Sequence, residues 1–152
     1  MTPTERLRAI EARIAAARQA ECRRQEQIEQ SRQARIAAAD RLRSRLAVLN
    51  GAPWDDGSLR VESHDGTPAV ALTVVNRHGH PGGGAYSLLT VTPQLEPGRP
   101  AAELDYRIVQ PGDATRPRLG ERCATEDAAV SRLLDVVEPL LHLPTLEGKD
   151  HP

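Results

Sequence analysis

Aromatic residues are almost absent from this sequence of 152 residues, which has no Phe, one Trp and two Tyr. Leu, Val, Ile and Ala must fill any hydrophobic core, so we expect an aliphatic one. Proteins that bind single-stranded nucleic acid stack its bases on aromatic side chains. With only Trp54, Tyr86 and Tyr106 available, the chain has little means of building such a surface.

Cysteine and long apolar runs are scarce as well. Cys22 and Cys123 occur in no Cys-x-x-Cys or His-paired spacing, which argues against a disulfide framework or a structural zinc site. No apolar run approaches the roughly 20 residues of a membrane span, and the N-terminus lacks the apolar segment of a signal peptide. We therefore expect a cytoplasmic protein that does not act at a membrane.

Glycine and proline are both missing between Thr4 and Asn50, although the chain contains 11 Gly and 12 Pro. Such a stretch predicts one long helix. Thr2 as N-cap, Pro3 in the first turn and Glu5 three residues after the cap predict its start. A helix of this length spans roughly 70 Å, more than a small domain covers, so we expect part of its surface to meet another chain.

An apolar seam with the three- and four-residue spacing of a coiled coil runs along this helix. We predict that residues 1-51 form a basic coiled-coil helix that pairs with a second copy, as a homodimer. The seam weakens in the middle, where Glu21, Arg24 and Arg35 fall on it, and a stutter shifts the register near the end. The predicted oligomer interface consists of Leu7, Ile10, Ile14, Ala17, Ile28, Leu42, Leu46 and Leu49.

A short repeat occurs within this stretch, and the alternative to a structural period is coincidence, because Ala and Arg dominate the composition here. The sequence Ala-Arg-Ile-Ala-Ala-Ala at 12-17 recurs at 34-39, and the displacement of 22 residues is two periods of eleven. An eleven-residue period keeps the same helix face forward, so both alanine patches offer close-approach surfaces on one side. The alternative to one long helix is a helical hairpin folded near Gln25 to Ser31, where the chain has no Gly or Pro to form a turn.

Charge is divided unevenly along the chain. Residues 1 to 50 contain 11 Arg and 6 acidic residues, for a net charge of +5, whereas residues 51 to 152 contain 9 basic and 15 acidic residues, for −6. A basic helix beside an acidic body can indicate nucleic acid, an acidic protein partner or self-association. Candidate nucleic-acid contacts are Arg23, Arg24, Arg41, Arg43 and Arg45.

The remaining residues, 52-152, change from helical to strand periodicity and predict an acidic module. A C-terminal helix at about 125-143, with Thr125 as N-cap, packs on the sheet. The expected fold class is α+β: a long N-terminal coiled-coil helix followed by a small four-stranded antiparallel sheet. Its second face needs a cover, either the end of the long helix or a second protomer. The four strands are predicted at about 58-63, 69-76, 85-92 and 102-110, with a turn at Asp65-Gly66 and loops at 77-84 and 111-120.

Three local patterns contain reactive residues without the arrangement that chemistry requires. Ser63-His64-Asp65 has the residues of a triad, but neighbours on a strand point to alternate faces. His78-Gly-His80 offers two imidazoles without a clear third ligand. The glycine-rich run at 81-84 leads into a strand, whereas phosphate-binding loops open a helix. We predict no catalytic residue, no metal, no cofactor and no enzymatic activity.

These features favour a non-enzymatic protein-binding adaptor or inhibitor that self-associates through its helix and presents the body to an unknown protein partner. The alternative is a nucleic-acid-associated protein that docks through the basic helix, with an affinity that falls steeply with salt. The shortage of aromatic residues and the −6 charge of the body weigh against this alternative.

Removal of divalent metal ions with a chelator is expected to leave the melting temperature unchanged, because the sequence shows no closed set of metal ligands. Thermal denaturation with and without chelator measures this. A drop of more than a few degrees, lost when His78 and His80 are replaced, would contradict the prediction.

Overall fold

The computed structural model describes residues 2–54, 57–63, 67–80, 83–110, 119–141 and 143, with the backbone alone described at 76–80, 83–86 and 119. The fold is α+β, with a long N-terminal helix, a six-stranded antiparallel sheet of order β1-β2-β3-β4-β5-β6 and a C-terminal helix. The helices are α1 (Pro3–Leu46) and α2 (Glu126–Val137). The strands are β1 (Pro53–Trp54), β2 (Gly57–Ser63), β3 (Val70–His80), β4 (Gly83–Gln94), β5 (Asp105–Gln110) and β6 (Leu119–Cys123).

The ends of α1 follow the sequence signals. The Thr2 hydroxyl accepts a hydrogen bond from the Glu5 amide at 3.2 Å, and the Glu5 carboxylate accepts one from the Thr2 amide at 3.1 Å. The predicted capping box is therefore confirmed. The α-helix ends at Leu46 and continues as a 3-10 turn over Ala47–Leu49. Gly51 then takes a φ of +84°, a left-handed conformation that favours glycine.

The two parts of α1 have opposite environments. Every residue from 2 to 30 is exposed, whereas burial begins at Ser31. We call Pro3–Gln30 the projecting half and Ser31–Leu46 the docked half. The helix runs unbroken through their junction, which excludes a hairpin near Gln25 to Ser31. At 1.5 Å per residue the projecting half extends about 42 Å.

The docked half is part of the body's core. Leu42 and Leu46 are fully buried in one cluster with Leu72 of β3 and Leu133 of α2. The docked half packs on β2, β3 and β4, while α2 packs on β5 and β6. The predicted division at residue 51 therefore does not separate two packing units, because the body's core needs residues on both sides of it.

Both helices lie on the same face of the sheet. The register places Leu59 beside Val74 and Leu72 beside Leu89, and these side chains all belong to the core cluster. Alternate residues of a strand point to opposite faces, so Thr73 lies on the other face. Across the described part of the chain, neither helix covers that second face. The end of the long helix instead shares the first face with α2.

The sheet has six strands rather than the predicted four, and the predicted boundaries of the long hairpin were wrong. β3 and β4 extend beyond 69-76 and 85-92, so His78-Gly-His80 lies on a strand and not in a loop. β6 lies at the end of the predicted loop 111-120. Its centre, Gly-Glu-Arg, is polar and short, which hides the alternation that identifies a strand. The predicted turn at Asp65-Gly66 lies outside the described residues.

Two predicted elements also begin or end elsewhere. β5 starts at Asp105 rather than at 102, because the chain first forms a 3-10 turn over Ala101–Glu103. The Thr125 hydroxyl accepts a hydrogen bond from the Ala128 amide at 3.1 Å, which confirms the N-cap of α2. The α-helix stops at Val137 rather than at 143. A 3-10 turn containing Pro139 follows, because proline has no amide hydrogen to continue the helix.

Truncation of Leu42 is expected to destabilise the whole body. Its side chain is 1% exposed, so Leu42→Ala removes buried methyl groups and leaves a cavity, at a cost of about 2–5 kcal/mol. Urea denaturation followed by circular dichroism measures the free energy of unfolding. The neighbouring Val48 is 85% exposed, and Val48→Ala is the matched control, expected to change stability by less than about 0.5 kcal/mol. Equal effects from both substitutions would contradict the assignment of Leu42 to the core.

Candidate interaction surface

The projecting half carries large aliphatic side chains that no described part of the chain covers. Leu7 is 67% exposed, Ile10 47%, Ile14 46% and Ile28 38%. Together with the exposed Ala17 they are the first five residues of the predicted interface, and we call them the apolar stripe. Helical spacing of three and four residues aligns them along one side of α1. This exposed apolar surface is the candidate interaction surface of the chain.

Charged side chains interrupt the apolar stripe between Ala17 and Ile28. The Arg24 guanidinium donates to the Glu21 carboxylate at 2.9 Å, one helical turn earlier. This hydrogen bond holds the pKa of Glu21 below its ordinary value, and the Gln25 amide contributes in the same direction. Both side chains are exposed, so the pair favours the helix without adding much to stability.

The last three predicted interface residues lie elsewhere. Leu42 and Leu46 are buried in the chain's own core, and Leu49 is partly buried against it. A second chain cannot reach them while the body is folded. Apolar residues at helical spacing continue into the docked half after the shift of register, but from Ser31 onward the sheet, and not a second helix, covers them.

Two of the candidate nucleic-acid contacts join the two helices. Arg45 donates to Asp127 at 2.7 Å and to Glu126 at 2.9 Å, and Arg41 donates to Glu126 at 3.4 Å. The hydrogen bonds to Asp127 and Glu126 raise the pKa of Arg45. These acids occupy the first turn of α2, where the helix dipole also favours negative charge. The docked half therefore holds the start of α2 through charge as well as through apolar packing.

A third candidate, Arg43, also contacts the body. Its guanidinium donates to the Ser63 hydroxyl at the end of β2, at 2.6 Å, and lies 3.6 Å from Asp40. Arg23 and Arg24 remain on the projecting half, with Arg24 paired to Glu21. The predicted arginine set is therefore split between two environments rather than brought together as one basic surface.

The net charge of the long helix also differs between the projecting half and the residues that follow it. The projecting half contains six Arg and five Glu, a net charge of +1. Residues 31 to 50 contain five Arg and one Asp, a net charge of +4, and this is the part that packs against the acidic body. Two of these arginines, Arg41 and Arg45, pair with acids of the body.

A groove of about 690 Å³ lies where the projecting half meets the body. The Ser31 hydroxyl, which lines the groove, donates to the Leu95 carbonyl at 2.5 Å, and Ser31 is the first buried residue of the helix. Arg35 Nε and Asp105 Oδ1 are buried there without a hydrogen-bond partner among the described residues. Sequence reasoning missed this junction groove because its two sides are far apart in the chain. Its walls are formed mainly by Ile28, Ser31, Arg35, Leu95, Pro97 and Asp105.

The reactive residues considered from the sequence do not form a described site. Burial raises the pKa of the Cys123 thiol, and Glu121 adds to this shift, so Cys123 is a core residue. Cys22 is exposed on the projecting half. His64 and Asp65, and the side chains of His78 and His80, lie outside the described residues. Within the described ranges no group of three or more His, Cys, Asp or Glu is placed to hold a metal ion.

Comparison with protein-family models, with curated proteins and with solved structures finds no match for this chain. Among the described residues, neither helix combines the length and the apolar character needed to cross a membrane.

Replacing Arg41, Arg43 and Arg45 together by Gln is expected to lower the melting temperature, because each of them contacts the body or α2. The same change is expected to leave oligonucleotide binding weak, as in the unchanged protein. Thermal denaturation and anisotropy of a labelled oligonucleotide at near-physiological salt measure the two effects.

The control variant removes equal charge from the projecting half, by replacing Arg6, Arg8 and Arg23 with Gln, and is expected to leave the melting temperature unchanged. Submicromolar binding to the oligonucleotide by the unchanged protein, abolished by the first variant alone, would show that the docked arginines serve nucleic acid.

Proposed function

We propose that this protein is a non-enzymatic protein-binding adaptor or inhibitor that self-associates through the apolar stripe of the projecting half. The observation that carries the proposal is a helical segment of about 42 Å that leaves the body with its aliphatic side chains exposed. The body, at −6 from residue 51 onward, is the module that the dimer presents to a protein partner.

The low stability of isolated helices in water favours a projecting half that packs against another chain over one that stands alone in solvent. Isolated helices are marginally stable in water, and most helices in proteins are stabilised by packing of an apolar face. Alanine content and the pairs Glu21 with Arg24 and Glu29 with Arg32 favour the helix locally. These contributions are small beside burial of the apolar stripe, where each Leu or Ile contributes roughly 1.5–3 kcal/mol.

A second copy is the partner that the stripe fits best. The stripe has the spacing of a coiled-coil seam, and a seam is matched by another seam. The flanking residues of the projecting half carry both signs of charge in nearly equal number, so two copies do not repel each other. A polyanion is a poorer fit, because the net charge of the projecting half is only +1.

The net charge of the body determines which class of protein partner the dimer binds. Residues 31 to 152, the docked half and the body together, contain 14 basic and 16 acidic residues, a net charge of −2. Net negative charge favours the approach of a protein with a basic surface over that of an acidic one. We place this binding in the cytoplasm, where thiols such as the exposed Cys22 stay reduced. No catalytic step is part of the proposal, since the sequence offers no catalytic constellation.

Light scattering on the full chain tests self-association. We expect a mass of twice 16.6 kDa at tens of micromolar. Ile10→Ser combined with Ile14→Ser is expected to weaken the dimer by at least about tenfold, because two aliphatic side chains per chain leave the interface.

The matched control removes two exposed aliphatic side chains that lie outside the stripe, as Val48→Ser with Leu140→Ser. This variant is expected to dimerise as the unchanged protein does. If the unchanged protein is monomeric at these concentrations, the proposal is wrong. If both variants weaken the dimer equally, the stripe is not the interface.

A further inference from the structure

Ser31, Ala38 and Leu42 of the docked half continue the heptad register of the apolar stripe, and the buried Ala39 and Leu46 lie one residue beyond it. A straight helix rotates such a register by about 20° per heptad, so the drift over the three heptads from Ile14 to Arg35 is about 60°. The stripe therefore faces the same side of α1 as the body. The register consists of Leu7, Ile14, Glu21, Ile28, Arg35 and Leu42 at one position and Ile10, Ala17, Arg24, Ser31 and Ala38 at the other.

The alanine repeat gives the same result independently. Its second copy packs on the sheet, with Ala38 and Ala39 buried in the core. A displacement of 22 residues turns an α-helix by about 40° beyond whole turns, so Ala16 and Ala17 in the first copy point to nearly the same side. The first alanine patch is exposed, and nothing in the described part of the chain lies against it.

This shared side decides how two chains can pair. In a parallel, in-register dimer the partner's helix would lie along the stripe side of α1 for its whole length. From Ser31 onward that space is filled by the chain's own sheet, which Ser31 and Leu42 contact directly. In an antiparallel pair the partner's helix ends near the junction, and each body lies beyond the other's N-terminus.

We propose that the chain forms an antiparallel dimer in which only the projecting halves overlap, around a two-fold axis between Ala15 and Ala16. This inference deepens the proposed function and rests on it. In the layers nearest the axis Ile14 packs against the partner's Ala17, whose small side chain lets the two helices approach closely. The dimer then carries its two acidic bodies at opposite ends of a short helical pair.

Layer packing and the body together select one register. Antiparallel helices pair the two heptad positions with each other, which sets Ile14 against the partner's Ala17 and Ile28 against the partner's Pro3. If the partner's helix were moved by one heptad toward the body, the partner's Leu7 would lie against Ser31. Ser31 is buried and hydrogen-bonded to the Leu95 carbonyl, so this register is blocked. The selected register is the longest overlap that the body permits, and it ends at the mouth of the junction groove beside Ile28.

Charge supports the antiparallel arrangement. A parallel pair would set Glu21 against the partner's Glu21 and Arg24 against the partner's Arg24 at seam positions. In the antiparallel register Glu21 faces the partner's Ile10, and Arg24 faces the partner's Leu7. Glu21 and Arg24 already pair with each other at 2.9 Å, so their aliphatic stems are free to cover these apolar side chains.

Opposite charges also meet beside the seam. The antiparallel register brings Glu11 next to the partner's Arg18, and the two-fold axis repeats this pair on the other side. In coiled coils such flanking pairs set orientation and partner choice. A parallel pair would instead set Glu11 beside the partner's Arg6 and Arg18 beside the partner's Arg13, so the attraction of the first pair would be offset by the repulsion of the second.

Disulfide cross-linking of the full chain tests the orientation. All variants carry Cys22→Ser, which removes the exposed thiol, and Cys123 is buried. Leu7→Cys and Arg24→Cys are prepared separately and oxidised with oxidised glutathione, alone and mixed. We expect cross-linking only in the mixture, because Cys at position 7 meets position 24 of the partner. Two copies of position 7 lie about 25 Å apart in this register.

Charge reversal provides a second measurement that does not depend on thiols. Glu11→Arg alone and Arg18→Glu alone are each expected to weaken the dimer on the order of fivefold, since two exposed pairs become repulsive. The double variant is expected to recover the original dissociation constant, measured by sedimentation equilibrium.

The outcomes separate this inference from the proposed function. Cross-linking of Leu7→Cys with itself would establish a parallel pair and overturn the inference while self-association stands. A dimer that cross-links in neither arrangement, or that charge reversal does not restore, would also overturn it. A chain that stays monomeric by light scattering in the Cys22→Ser background would remove the proposed function as well.

Discussion

The packing of the docked half of α1 against the sheet is the interaction on which the rest of the structure depends. It covers β2, β3 and β4, whose inward side chains Leu59, Leu72 and Leu89 belong to the same core cluster as Leu42 and Leu46. Apolar burial contributes about 25 cal/mol per Å², so this face is the largest source of stability that the helix supplies. It also fixes the direction in which the projecting half leaves the body. The apolar stripe is held at a fixed angle to the sheet because the projecting half and the docked half are one continuous helix.

Electrostatics follows from this packing. The docked half brings Arg41 and Arg45 beside the first turn of α2, where Glu126 and Asp127 accept their hydrogen bonds. Part of the basic excess of the helix therefore pairs with acids of the body within one chain. A charge count along the sequence cannot show this, because it does not tell whether opposite charges face each other or face a partner.

Much of the fold follows from local sequence chemistry. The caps at Thr2 and Thr125, the absence of Gly and Pro in α1 and the α+β class all depend on residues close together in the chain. β6 was missed because five residues with a polar centre do not alternate visibly. Leu42 and Leu46 were assigned to a second chain because a heptad pattern shows that a side is covered without showing what covers it. The sheet that covers it is built from residues much later in the sequence.

The candidate site divides along the same line. The first five predicted interface residues lie within one helix, so their spacing in the sequence is enough to predict the apolar stripe. The junction groove depends on contacts such as that between Ser31 and Leu95, which are 64 residues apart, and no local pattern reports a contact of that range. The proposed antiparallel register depends on a local and a long-range feature. The first is the spacing of the apolar stripe, and the second is the residue at which the body begins to cover α1.

The unbroken passage of α1 from solvent into the core also affects how the projecting half forms. Starting a helix is costly, because several residues must be ordered before the first hydrogen bond is gained. In this chain the docked half supplies that first turn, since the core orders it when the body folds. Each further turn then needs only elongation toward the N-terminus, and opening proceeds in reverse, from the Thr2 cap inward. When the projecting half is unpaired, protection of its amide protons against exchange with solvent should therefore rise residue by residue toward Ser31, whereas pairing in the dimer would protect it along its length.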